Sequence, residues 1–187
     1  MSYSFEHVSV LLVEDNQPML DLAKSLLETF GIGQVFTARH GEEGFQIFCK
    51  ENPDIVVADW MMKPTDGISL ARKIRNDSMS PNQFVPIILM TGFSERRRVV
   101  EARDAGITEF LVKPFNARDL YRRISQIIEH PRKFVRAEGF FGPDRRRKRM
   151  SDYDGQLKRE TDVRDDDFLV DMIEKDRRGA SNNSETN

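Results

Sequence analysis

The chain has 187 residues, of which 39% are hydrophobic and 32% charged, and its mean hydropathy is −0.56. Its single cysteine, Cys49, and its 11 glycines exclude a disulfide-bonded scaffold and a collagen-like repeat. The net charge of −2 indicates no general attraction to nucleic acid or membranes, and no apolar run approaches the roughly 20 residues that span a bilayer. The opening residues lack a secretory signal, so a cytoplasmic protein is expected.

Five short apolar runs, each followed by a segment of helical periodicity, predict alternating strands and helices. Continuous runs of Val, Ile and Leu are typical of strands buried on both faces of a parallel sheet. The predicted strands are Val8–Val13, Gln34–Ala38, Ile55–Ala58, Pro86–Met90 and Glu109–Val112. The predicted helices are Pro18–Phe30, Gly41–Glu51, Gly67–Asn76, Ser94–Ala105 and Asn116–Glu129. Five such repeats predict an α/β fold, a doubly wound parallel sheet with helices on both faces.

The composition changes near His130 and Pro131, after which apolar runs nearly vanish. Residues 1–130 hold 15 basic and 18 acidic residues, whereas residues 131–187 hold 14 and 13, a net charge of +1. We therefore predict one domain over residues 1–130 and a largely irregular, charged C-terminal extension over 131–187. Within the extension, residues 165–178 have the pattern of a short amphipathic helix, and residues 180–187 are expected to be disordered.

Acidic, hydroxyl or lysine side chains follow four of the five predicted strands, and in a parallel sheet those strand ends share one edge. Arg39 and His40, after the second strand, offer no comparable group. Glu14 and Asp15 follow the first strand, Asp59 the third, Thr91 the fourth and Lys113 the fifth. Clustered carboxylates without His or Cys favour Mg²⁺ over zinc. A metal, an ammonium and a hydroxyl are the groups that hold a phosphoryl group during transfer. Asp59, on the central strand, is the best candidate for a nucleophile that forms an acyl phosphate.

Residues 8–129 resemble the receiver domain of two-component response regulators. Four motifs carry the resemblance: LLVEDN at 11–16, VVADWMMKPTDG at 56–67, ILMTGF at 88–93 and AGITEFLVKPF at 105–115. The resemblance implies a flavodoxin-like sheet of strand order 2-1-3-4-5 and a cis Lys113–Pro114 peptide bond. It also implies that Asp59 accepts a phosphoryl group from a sensor histidine kinase or a phosphotransfer protein.

The resemblance further implies the ligands of a Mg²⁺ ion. Asp15 and Asp59 would bind the ion directly, Glu14 would act mostly through water, and the backbone carbonyl of Met61 would be a further ligand. The bulky side chains of Met61 and Phe93 would hinder an attacking water, so slow self-dephosphorylation is expected. An aspartyl-phosphate hydrolase usually carries a second acid two residues after its nucleophile, where this chain has Met61. The chain is therefore expected to be a signalling module and not an enzyme.

The same resemblance implies how the phosphoryl group would act as a switch. Lys113 would pair with the phosphoryl oxygens, Thr91 would be the switch hydroxyl and Phe110 the switch aromatic. As Thr91 moves inward, it would vacate space into which Phe110 rotates from solvent. The face formed by the fourth helix, fifth strand and fifth helix would then change shape and recruit a partner. This α4–β5–α5 face, as we call it, is also a candidate homodimer surface.

Two classes of output partner remain open. A protein partner is favoured, because the basic block at residues 145–149 contains no aromatic side chain that could stack on bases. The alternative is a nucleic-acid-binding regulator whose dimer presents two basic tails to phosphates. The aromatic residues Phe134, Phe140 and Phe141, which precede the block, could anchor this segment on its own receiver or on another protein.

Overall fold

A five-stranded parallel sheet forms the centre of the molecule. The computed structural model describes residues 4–92, 96–137 and 140–144. The strands are β1 (Ser9–Val13), β2 (Gln34–Ala38), β3 (Ile55–Asp59), β4 (Ile87–Thr91) and β5 (Glu109–Val112). Neighbouring strands are parallel throughout, and their order is β2-β1-β3-β4-β5. The predicted fold and strand order are confirmed.

Five helices connect the strands and flank the sheet. They are α1 (Gln17–Thr29), α2 (Gly41–Glu51), α3 (Gly67–Asn76), α4 (Arg96–Asp104) and α5 (Ala117–Glu129). Four of them begin after a residue whose side chain accepts a hydrogen bond from the backbone N–H three residues later: Asn16, His40, Asp66 and Asn116. Ser94, the predicted cap of α4, lies outside the described residues. Gly31 and Gly106 adopt positive φ angles after α1 and α4, which ends these helices as expected.

The sheet divides the hydrophobic core into two layers. Leu11 and Val13 of β1 face the layer that contains residues of α2, α3 and α4, whereas Val10 and Leu12 face the layer with α1 and α5. Every residue of β3, β4 and β5 is buried, which explains why these strands read as continuous apolar runs. None of the helices in the described ranges has the length and apolar content that crossing a bilayer requires.

A short antiparallel hairpin, formed by β6 (Phe134–Ala137) and β7 (Phe140–Pro143), follows α5 as a separate sheet. The rings of Phe134 and Phe141 pack edge-on against Phe84, with centroids 5.4 and 5.3 Å away. A largely irregular chain was expected here because apolar runs nearly vanish after residue 130. Strands of only four residues are too short to show a periodicity. These two aromatic side chains nevertheless anchor the segment on its own receiver, one of the two possibilities raised above.

The rest of the C-terminal extension lies outside the described residues. The basic block at 145–149 and the predicted helix over 165–178 both belong to this part of the chain. The proposed division near residue 130 therefore stays a prediction, to which the structure adds a hairpin that packs back onto the first 130 residues.

Candidate functional site

Four side chains converge at the carboxyl ends of β1, β3 and β5. Glu14 and Asp15 directly follow β1, Asp59 ends β3 and Lys113 follows β5. Carboxylate oxygens of the three acids all lie within 4.8 Å of one another. The Nζ atom of Lys113 is 2.7 Å from Glu14 Oε2 and 2.8 Å from Asp59 Oδ1. The structure thus brings together the charged residues that the sequence analysis singled out.

Burial governs the electrostatics of this acidic cluster. Glu14 is 1% exposed and Asp59 is 7% exposed, and this loss of hydration raises the pKa of both carboxyls despite the hydrogen bonds from Lys113. Burial by itself would lower the pKa of Lys113, but the hydrogen bonds and charges of Asp59 and Glu14 outweigh it, so the pKa is raised. The ammonium stays charged, and its one positive charge contacts two of the three carboxyl groups, those of Glu14 and Asp59.

The donor set of the cluster fits Mg²⁺. Its carboxylates offer only oxygen ligands, and no histidine or cysteine joins it within the described residues. Asp15 is partly exposed, so an ion bound there could keep several waters, as Mg²⁺ prefers. The turn that carries Asp15 is fixed from two sides, because Arg39 Nη2 donates to the Asp15 carbonyl at 2.6 Å and the Asn16 N–H donates to Glu14 at 3.3 Å. Divalent-cation binding is therefore compatible with this geometry.

Thr91 and Phe110 lie on the neighbouring strands β4 and β5. The Lys113 N–H donates to the Thr91 carbonyl at 2.8 Å, and the Thr91 side chain is buried at the same edge of the sheet. Phe110 is only 2% exposed and shares a hydrophobic cluster with Leu89 and Val99. The expectation that the Phe110 ring starts in solvent is wrong for this structure, because the layer beneath α4 already accommodates the ring. Its role as the switch aromatic remains a prediction.

Gly67, which was not among the predicted site residues, holds the loop after β3 close to Asp59. The Gly67 N–H donates to the Trp60 carbonyl at 3.1 Å, and a Cβ at position 67 would lie 2.2 Å from the Asp59 carbonyl oxygen. Only glycine fits there without displacing the backbone. Met61 is 59% exposed, whereas Phe93, its predicted companion, lies outside the described residues.

Two further features of the site were only partly anticipated. The Lys113–Pro114 peptide bond is cis, as expected, and so is the Lys63–Pro64 bond in the loop after β3. The guanidinium of Arg98, on α4, lies over the buried Trp60 ring, with its central carbon 5.9 Å from the ring centroid. A cation–π contact of this kind depends on tertiary packing, so no local motif could have predicted it.

Comparisons with known proteins agree with this geometry. Residues 10–125 match the family described as the response regulator receiver domain. The chain belongs to this family. It is 36% identical over 131 residues to the transcriptional regulatory protein PdtaR of Mycobacterium tuberculosis. The aligned residues cover 70% of this chain and 61% of PdtaR. It is 31% identical over 124 residues to the chemotaxis protein CheY-3 of Vibrio cholerae. The aligned residues cover 66% of this chain and 94% of CheY-3.

Solved structures give the same assignment. The Vibrio cholerae chemotaxis protein CheY4 aligns with a TM-score of 0.60 at 27% identity, over 64% of this chain and 98% of that one. The receiver is a signalling module of two-component systems, and its acidic pocket fits the Mg²⁺ that such domains bind. The chain spans 61% of PdtaR and about half of other curated relatives that it matches.

Proposed function

We propose that Asp59 accepts a phosphoryl group from a phosphohistidine of a sensor histidine kinase or a phosphotransfer protein. The single observation that carries this proposal is the 2.8 Å contact between Lys113 Nζ and Asp59 Oδ1 beside two further carboxylates. Asp59 ends the central strand β3, at the edge where open α/β sheets bind their ligands. A buried carboxylate with an ammonium in contact is suited to accept a group that brings additional negative charge.

The transfer forms a bond between a carboxylate oxygen of Asp59 and phosphorus while the phosphorus–nitrogen bond of the donor breaks. The electron pair of that bond stays on the imidazole nitrogen, which takes a proton from solvent. Lys113 neutralises part of the charge on the phosphoryl oxygens, and the Thr91 hydroxyl donates a hydrogen bond to one of them. Lys113 directly follows β5 and already contacts Asp59, so this ammonium needs little reorganisation during transfer, whereas the Thr91 hydroxyl reaches the phosphoryl group by moving inward.

Asp15, Asp59 and the Met61 carbonyl would hold the Mg²⁺ ion, with Glu14 acting mostly through water. When bound, the ion neutralises charge on the transferring phosphoryl group. Arg39 holds the backbone that carries Asp15, so this arginine positions a ligand from outside the cluster. Met61 and Phe93 would shield the acyl phosphate from water, which predicts slow self-dephosphorylation.

The output of the phosphorylated receiver is a change in protein contacts on the α4–β5–α5 face. Inward movement of Thr91 and repositioning of Phe110 would change the shape of this face. A partner that prefers the new shape, or a second copy of the chain, would then bind more tightly.

Labelling of the full chain with acetyl phosphate and Mg²⁺, followed by intact mass measurement, tests the acceptor. The wild type and Asp21→Asn, which removes an exposed carboxylate on α1, should both gain one phosphoryl group. Asp59→Asn should gain none, and EDTA should prevent labelling of the wild type. An unlabelled wild type, or an Asp59→Asn variant labelled like the wild type, rejects the proposal.

A second candidate output is contact with nucleic acid. Two observations favour it: the five consecutive basic residues at 145–149, and the description of PdtaR as a transcriptional regulatory protein. Counterion release predicts that affinity for a labelled oligonucleotide falls steeply with salt and that glutamine at all five positions removes most of this slope. Equal salt slopes for the two proteins reject this candidate.

A further inference from the structure

The C-terminal hairpin packs on the receiver through aromatic rings and a buried arginine. The rings of Phe134 and Phe141 contact Phe84, and the guanidinium of Arg75 lies 5.0 Å from the Phe134 centroid. Arg75 is itself buried and donates to the Gly106 carbonyl from Nε at 3.1 Å and from Nη2 at 2.9 Å. One side chain therefore contacts both the hairpin and the turn between α4 and β5.

Two glycines allow a close approach between the hairpin and this turn. A Cβ at Gly142 would lie 3.0 Å from the Gly106 Cα atom, and a Cβ at Gly106 would lie 3.1 Å from the Phe141 carbonyl oxygen. Backbone segments packed this closely leave no room for the turn to move toward the hairpin, and movement away would open the contact. Docking of the hairpin therefore favours the position that the turn has in this structure.

Helix α4 connects the turn to the acceptor site. Near its start, Arg98 lies over Trp60, the residue that follows Asp59. The helix ends at Asp104, two residues before Gly106. A helix of nine residues is about 13 Å long and moves as a rigid element, so a displacement near Arg98 reaches the turn.

The segment that leads into the hairpin gives a second connection to the sheet. Arg132 Nε lies 3.9 Å from Glu109 Oε1 on β5, and Arg132 Nη1 donates to the Thr108 carbonyl at 3.4 Å. Glu109 is buried and directly precedes Phe110, the proposed switch aromatic. The hairpin and the segment that leads into it thus contact the α4–β5 turn at Gly106 and the start of β5 at Thr108 and Glu109.

We propose that the hairpin is a clamp on the α4–β5 turn, and that hairpin docking and phosphorylation of Asp59 oppose each other. This inference rests on the proposed function and assigns the C-terminal segment as an element that responds to it. Phosphorylation draws the start of α4 inward, displaces the turn and weakens docking. Thermodynamic linkage then requires the converse: a receiver whose hairpin cannot dock binds a phosphoryl analogue more tightly.

Two full-length variants test the clamp. Gly142→Val places a side chain against Gly106, Phe141→Ala removes an aromatic contact, and Val135→Ala, at a 37% exposed position of the same hairpin, is the matched control. Beryllofluoride with Mg²⁺ serves as the phosphoryl analogue, and its binding is followed through the fluorescence of Trp60, the chain's single tryptophan. Circular dichroism checks that each variant is folded, which is expected because the hairpin lies outside the five-stranded sheet.

Both docking variants should bind beryllofluoride at least about fivefold more tightly than the wild type, the lower end of typical coupling between two sites. The control should match the wild type. Hydrogen exchange in the wild-type hairpin should also speed up when beryllofluoride is added. Unchanged or weaker binding in both docking variants, or slower exchange of the hairpin, overturns the clamp.

Labelling with acetyl phosphate in the same samples separates failure of the clamp from failure of the proposed function. A labelled wild type together with unchanged beryllofluoride affinities rejects the clamp alone. A wild type that is not labelled on Asp59 rejects both proposals.

Discussion

Replacing Gly67 by alanine should displace Asp59, the proposed phosphoacceptor, without touching its side chain. The added Cβ would lie 2.2 Å from the Asp59 carbonyl oxygen and 3.0 Å from Leu89 Cδ1, whereas ordinary contacts begin at 3.4 Å. The end of β3 and the start of α3 must therefore separate by about 1.2 Å, the difference between 3.4 and 2.2 Å. The Leu89 methyl group can rotate away, but the backbone carbonyl cannot.

The cost of this separation follows from packing and from one hydrogen bond. Overpacking of a well-filled site typically costs about 1–3 kcal/mol, and the Gly67 N–H···O=C Trp60 bond contributes about 1 kcal/mol more if it breaks. We expect a loss of about 3 kcal/mol, which lowers the melting temperature by about 6–12 °C for a protein of this size. Phosphoryl transfer should slow by about 100-fold, since a misplacement near 1 Å has that effect on a reacting group.

Calorimetry and the rate of labelling by acetyl phosphate measure the two effects of Gly67→Ala. Gly92→Ala is the matched control for stability, because a Cβ at that position meets no heavy atom within 4 Å although the residue directly follows β4. Its melting temperature should stay within about 2 °C of the wild type, the usual range for a surface substitution. If Gly67→Ala also melts within that range, the close approach of β3 and α3 does not constrain the acceptor and the reasoning is refuted.

Three other variants give independent checks. Lys113→Met leaves the acidic cluster without its ammonium and should lower the free energy of unfolding by about 3 kcal/mol in metal-free buffer. In thermal melts, Mg²⁺ should raise the melting temperature of this variant more than that of the wild type, and an equal rise would contradict the charge argument. Glu109→Gln removes the buried carboxylate that faces two arginines and should also cost about 3 kcal/mol in chemical unfolding, whereas a cost below about 1 kcal/mol would show that the pairs contribute little. The Met61→Asn, Phe93→Ala double variant should lose phosphate faster than the wild type in a phosphate-release assay, and slower loss would reject the shielding role.

The sheet was predictable because β3, β4 and β5 are buried on both faces. Val56, Val57 and Ala58 on β3 give a continuous apolar run, and the polar residue that ends it has to lie at the edge of the sheet. Helix starts were predictable where a capping side chain is local, as for Asn116, which forms a capping box with Asp119. Local sequence thus determined both the elements and the edge on which the charged residues meet.

Contacts between distant parts of the chain were not predictable in this way. The hairpin docks through ring contacts of Phe134 and Phe141 with Phe84, which lies far earlier in the sequence. Its four-residue strands show no periodicity of their own, so no local pattern indicated this contact. The position of the Phe110 ring depends on how the layer beneath α4 is packed, a property of the folded state. Gly67 belongs to a motif that was recognised, but the reason that it must be glycine is a backbone contact made only after folding.

The charge distribution of the site explains why a modification of Asp59 should be felt at α4. The ammonium of Lys113 already contacts Glu14 and Asp59, and Asp15 adds a third carboxyl group to the same cluster, so the acidic groups outnumber the cation. A phosphoryl group brings further negative charge and three acceptor oxygens to the same buried edge. These oxygens need more hydrogen-bond donors than one lysine can supply. Thr91 ends the adjacent strand β4, and its hydroxyl is the hydrogen-bond donor that would move toward the phosphoryl oxygens. Since α4 follows that strand and is held by Trp60 near its start and by the hairpin at its end, the displacement has a defined path along the helix.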